Sequence, residues 1–151
     1  MKEMIYSNIK NEKTKILYSG IYKGKYFCII NICGHHPCAY VEVKDESYFD
    51  WEDTSPAHCG FTFADTLSHI RSKVDASEIS ELDDAHLDNL FLGWDFAHIG
   101  DYTPTRVMLA LLREGWGEED ETDKKWTTQE IFENVKEVID WINEEEFKHG
   151  K

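Results

Sequence analysis

The segment LFLGWDFAHIGDYTP, residues 90–104, carries Asp95, His98 and Asp101 at intervals of three behind an apolar run. A turn at the end of such a run converges two carboxylates and an imidazole on one point. Oxygen and nitrogen donors of this kind suit a divalent metal, which polarises a phosphoryl or carbonyl oxygen or acidifies a bound water. The same histidine can act as a general acid or base, since imidazole exchanges its proton near neutral pH. A plainer use competes with both: Asp101 can open a turn before a cap at Thr103, and His98 can bond to main chain.

A second set of chemistry-bearing residues is CGHHPC, with Cys33, His35, His36 and Cys38, joined later by His58 and Cys59. Thiolate and neutral imidazole are the ligands zinc prefers, but the spacing is not that of a paired C-x-x-C knuckle. Cys28 and Cys38 serve equally as small buried hydrophobes. Pairing Cys38 or Cys59 with His58 or His98 would make a thiolate nucleophile. The sequence has no G-x-S-x-G, G-x-G-x-x-G or G-K-[ST] stretch, so it lacks the local signatures of serine hydrolases, dinucleotide folds and P-loops. Tyr48, Phe49 and Trp51 could stack on a ligand, yet Asp50, Glu52 and Asp53 beside them repel phosphate, and core or interface packing is the expected use.

Charge narrows the partners. Thirty Asp and Glu against sixteen Lys and Arg give a formal net charge of -14, a field that repels nucleic-acid backbones and anionic membranes and favours divalent cations or basic proteins. Direct nucleic-acid binding is not expected. No run approaches the ~20 apolar residues of a membrane span, and the first residues lack the apolar core of a secretory signal. A cytoplasmic location, with the cysteines reduced, is the expectation.

The elements that must position these residues follow from periodicity. At 151 residues, 41% hydrophobic and 13% aromatic, the chain fits one domain with one core, residues 1–151. Residues 14–32 read as a β-hairpin around a turn between Gly20 and Gly24, and GHHP connects it to CAYVEVK, 38–44, a strand expected to have one wet face. AHCGFTF, 57–63, reads as a short strand, residues 64–89 as loop with helical pieces, and NLFLGWDFAHI as a buried strand with Asp95 its anomaly. Thr103 and Pro104 open a helix that Gly115 ends. In the last helix, Thr127 and Glu130 have capping-box spacing and Ile131, Val135, Val138, Ile139 and Ile142 form one stripe. The predicted fold is α+β: an antiparallel or mixed sheet of four to six strands, covered on one face by these two C-terminal helices.

GHHPCAYVEV, AHCGFTF and GWDFAHIGDYTP, in this order, resemble a family of small bacteriophage and prophage proteins. The corresponding residues are Gly34, His36, Cys38, Tyr40 and Val41; His58, Gly60, Thr62 and Phe63; and Gly93, Asp95, Ala97, His98, Gly100 and Asp101. The family's intervening Gly-His-Pro is replaced here by DESYF, and Cys59 stands where the family tends to have glycine. The resemblance implies an accessory protein of the host bacterial cytoplasm with His36, His58, Asp95, His98 and Asp101 clustered. It supplies no reaction.

Two functions follow as expectations. In the first, Asp95, His98 and His58 carry out acid–base chemistry on, or bind, a phosphorylated or nucleotide-like ligand, with Asp95, His98, Asp101 and His36 available to a divalent metal. In the second, a non-catalytic phage inhibitor of a host factor docks its acidic surface on a basic host protein, an encounter speeded by charge steering.

Overall fold

The computed structural model describes residues 1–7, 13–44, 55–98, 100–104 and 123–148. Five strands form one sheet: β1 (Lys15–Tyr22), β2 (Lys25–Ile32), β3 (His36–Val43), β4 (Phe63–Thr66) and β5 (Leu90–Asp95). Their spatial order is β1-β2-β3-β5-β4, and every neighbouring pair is antiparallel. A short helix α1 (Leu67–Arg71) and 3₁₀ turns at Ala76–Glu81 and Asp84–His86 lie between β4 and β5, and α2 (Thr128–Lys148) closes the described chain. The architecture is therefore single-sheet α+β.

The hairpin turn is Lys23-Gly24, with φ of 45° and 82°. Two left-handed residues in a two-residue loop match the twist of the flanking strands, and glycine supplies the second without steric cost. Gly20 instead lies within β1. The register between β1 and β2 shifts between Ile16 and Tyr18; the extra residue lets both Leu17 and Tyr18 pack on the α2 side.

Alternation along the strands then builds two cores. Phe27, Ile29, Ala39, Val41, Leu92 and Trp94 face α2 and meet its buried stripe, Ile131, Val135, Val138, Ile139 and Ile142. Each buried Val, Leu, Ile or Phe among them contributes about 1.5–3 kcal/mol by leaving water. The opposite face, Cys28, Ile30, Cys38, Tyr40 and Phe91, is covered by Leu67, Ile70, Val74 and Leu82. The wet face expected for residues 38–44 is thus a second core: α1 and the turn region after it shelter it, because Cys and Tyr are apolar enough to be buried when something covers them.

Two further boundaries differ from expectation. GHHP is not all connection, since His36 and Pro37 already pair with Ile32 and Asn31 in the sheet. AHCG, expected as strand, is a turn: Cys59 and Gly60 are left-handed at φ of 59° and 84°, and the Gly60 N–H closes on Ala57 O at 2.9 Å. The capping box at the start of α2 forms as the spacing predicts, with the Glu130 N–H on Thr127 Oγ1 at 3.2 Å and the Thr127 N–H on Glu130 Oε1 at 3.0 Å. The body of the helix expected after Pro104, and the aromatic group at 48–51, lie outside the described residues. No helix among the described residues is long and apolar enough to cross a membrane.

Candidate functional site

Antiparallel pairing of β3 with β5 sets Cys38 opposite Asp95, so the start of β3 and the end of β5 share one edge of the sheet. The chain past Asp95 is tied back by Phe96 N–H to Pro37 O at 3.1 Å. Asp95 then caps its own turn, accepting the Ala97 N–H at 3.1 Å. The turn is closed by the Asp101 N–H on His98 O at 2.9 Å. The D-x-x-H-x-x-D spacing thus brings the His98 ring to Asp95 at 3.1 Å, whereas Asp101 takes the His98 main-chain N–H rather than its imidazole.

Asp101 is the hub. It is 3% exposed and among the described residues accepts from His58 Nε2 at 2.8 Å, from the His98 main-chain N–H at 3.0 Å, and from the Trp126 indole N–H at 2.9 Å. A carboxylate has no proton to give, so the bond requires hydrogen on His58 Nε2, and Nδ1 is left as the nitrogen that can exchange a proton with a ligand. His98 Nε2 stands 3.1 Å from Asp95 Oδ1. The His58 imidazole is hydrogen-bonded to Asp101, the His98 ring is within ion-pair distance of Asp95 with no hydrogen bond from its buried Nε2 among the described residues, and the two ring centroids lie 5.8 Å apart.

His58 arrives from the turn between residues 57 and 60, which α2 holds in place. Asn134 on that helix accepts the His58 N–H at 3.2 Å and the Trp94 indole N–H at 3.0 Å, and donates to Pro56 O at 2.8 Å. The His58 ring stacks on buried Phe96 at 5.0 Å and 4°, with Trp126 at 4.8 Å. Its side chain is 23% exposed, so a hydrophobic wall and a buried carboxylate hold one edge while part of the ring meets solvent.

His36, at the start of β3, contacts His35 with Nδ1 atoms 2.7 Å apart, a distance that needs one nitrogen to donate and the other to accept. Burial lowers the His36 pKa, His35 and His98 push the same way, and Asp95 opposes them. His36 therefore sits within electrostatic reach of the cluster, while its closest ring partner is His35.

Of the residues expected to gather, His58, Asp95, His98 and Asp101 meet directly and His36 borders them. Phe96, Trp126 and Asn134 complete the arrangement without having been marked in the sequence. Asn134 had a signal, an amide between Ile131 and Val135 beside the buried stripe of α2; Trp126 had none beyond its place before the capping box.

The chemistry open to the cluster is proton transfer and ligand orientation. Among the described residues no three His, Cys, Asp or Glu side chains are arranged to hold a metal ion, and the Asp101 oxygens are already taken by three donors. Cys33 is exposed and lies 3.3 Å from Thr14 Oγ1, whereas Cys38 is buried in the second core, so the CGHHPC cysteines do not converge. Burial pushes the Cys38 thiol up to about 12. Cys59 Sγ lies 3.7 Å from His58 Nε2, but burial and the charges of Asp101 and Asp95 raise its pKa, which holds it as thiol rather than nucleophile.

Comparison with protein-family models, with curated proteins and with solved structures found no match to this chain.

Proposed function

We propose that this chain is a small site protein, of the phage and prophage kind its motifs resemble, in which His58 and His98 exchange protons with a bound phosphorylated or nucleotide-like small molecule. The observation that carries the reading is the buried Asp101 carboxylate, which fixes His58 by Nε2 and receives the His98 and Trp126 N–H groups. A carboxylate that orients one nitrogen of an imidazole and leaves the other toward solvent is the arrangement a general acid or base needs. His98, its ring centroid 5.8 Å from that of His58 and its Nε2 3.1 Å from Asp95 Oδ1, is the second proton-carrying group beside the first. The donors already on Asp101 support this role for the histidines more directly than a role as metal ligands.

The test is turnover and binding across phosphomonoesters, phosphodiesters and nucleotides, with and without added divalent metal, for the wild type, H58N and H98N. The reading expects turnover of one class to fall about 10²–10⁴-fold in H58N, the usual worth of a positioned acid or base. Turnover unchanged by both substitutions, or no binding of any class, would overturn it.

A second reading is favoured by the outer face of α2, where Glu137 and Glu144, with Glu133 and Asp140 paired to Lys136 and Lys23, precede Phe147, 86% exposed. An acidic stripe ending in an apolar anchor suits docking on a basic host protein, with a fast and salt-sensitive encounter. Charge reversal at Glu137 and Glu144 would weaken that association and leave ligand turnover unchanged.

A further inference from the structure

In a chain of net charge -14, an anionic ligand needs local cations, and the structure places two beside the histidine–carboxylate cluster. Lys124 Nζ lies 3.9 Å from the centroid of the Trp126 ring, and Lys125 Nζ lies 4.5 Å from that of Tyr102. Trp126 is the residue whose indole bonds Asp101 and whose ring flanks His58. Lys124 is thus one side chain removed from His58, and Lys125 stands over the ring of Tyr102, the residue after Asp101.

Their main chain is fixed as well. Asp101 and Lys124 form a parallel bridge, with Tyr102 N–H on Lys124 O at 2.9 Å and Lys124 N–H on Gly100 O at 2.7 Å. Tyr102 is supported edge-on by Tyr6 at 5.3 Å, and the Tyr6 hydroxyl donates to Trp126 O at 3.0 Å. Glu130 Oε2 holds Lys124 Nζ at 2.9 Å, which partly neutralises that ammonium and keeps it aligned over the indole face, as Lys125 is over Tyr102. Cation–π contact steadies both ammonium groups, and side chains already ordered lose less entropy when a ligand arrives.

Resting on the acid–base reading of the site, we propose that Lys124 and Lys125 are its anion-binding arm and hold the phosphate of a small nucleotide-like ligand beside His58.

The experiment titrates the full chain with adenosine monophosphate, adenosine and inorganic phosphate, following the Trp126 indole N–H and the His58 ring by NMR. Wild type, K124Q/K125Q and K124R/K125R are compared. The monophosphate is expected to shift both signals, the double glutamine variant to bind at least tenfold more weakly, and the double arginine variant to retain binding. Inorganic phosphate should compete in wild type, and adenosine should bind at least tenfold more weakly than its monophosphate. Equal binding by wild type and K124Q/K125Q, equal binding of nucleoside and nucleotide, or no shift with any probe would overturn the proposal. The acid–base reading fails separately: H58N and D101N would leave turnover unchanged, whatever the lysines do.

Discussion

His58 Nε2 stands 2.8 Å from Asp101 Oδ2, and that carboxylate is buried among an aromatic ring, an indole and a tight turn. The two residues lie 43 positions apart in the chain, so the contact depends on the whole sheet edge being assembled. Removing the carboxylate strands three donors at once. D101A is expected to lower stability by about 3–5 kcal/mol, the range for breaking a buried charged contact, as read by urea unfolding. D101N, which keeps volume and one acceptor oxygen, should cost less.

Gly93 has no room for a side chain. A Cβ there would fall 2.5 Å from Tyr40 Cδ1, on the neighbouring strand. The ring of Tyr40 in turn meets Phe63 at 5.1 Å and lies in the second core, so it cannot swing away cheaply. G93A should destabilise by about 1–3 kcal/mol through overpacking. Combined with Y40A the costs should be less than additive, because the second change removes the atom that clashes.

Lys25 and Glu146 are both buried, and Glu146 Oε2 accepts from Lys25 Nζ at 3.0 Å. E146A leaves an ammonium with its main partner gone, and the expected loss is about 3–5 kcal/mol. Replacing the pair together, K25M with E146L, should recover most of that loss. Denaturant midpoints of the two singles and the double decide it.

Acid should weaken the fold through His36. Its folded pKa lies below the ordinary 6.5, chiefly by burial with help from His35 and His98 and against Asp95. The folded state therefore favours neutral imidazole, and the unfolded chain binds the proton more readily. The stabilisation is complete above the unfolded value and is lost as pH falls from there through the folded value. Unfolding midpoints measured from about pH 7.5 to about pH 5 should drop more steeply in the wild type than in H36Q.

Local patterns made much of the fold legible. The capping box at Thr127 and Glu130 and the five-residue stripe of α2 involve neighbours in sequence, so their physics is readable there. The hairpin was legible for the same reason, with its turn at Lys23-Gly24 rather than reaching back to Gly20. What covers the face of Cys38 and Tyr40 was not readable, because it depends on α1 and turns whose own apolar positions are sparse. AHCG read as strand, yet Asn134 and the left-handed Cys59 and Gly60 make it a turn, a tertiary effect. In the site, the spacing of Asp95, His98 and Asp101 was visible locally. Trp126 and Asn134 act across more than twenty residues of separation, and no local pattern marks such partners.

The central claim is that Asp101 holds His58 by Nε2 and leaves Nδ1 to exchange protons with a ligand. Nitrogen-15 NMR of the imidazole reads this directly, since protonated and lone-pair ring nitrogens resonate far apart. The account predicts, for wild type at mildly alkaline pH, hydrogen on His58 Nε2 with Nδ1 bare, and a changed tautomer balance in D101N. Hydrogen on Nδ1 in the wild type, or a His58 spectrum identical in D101N, would contradict it.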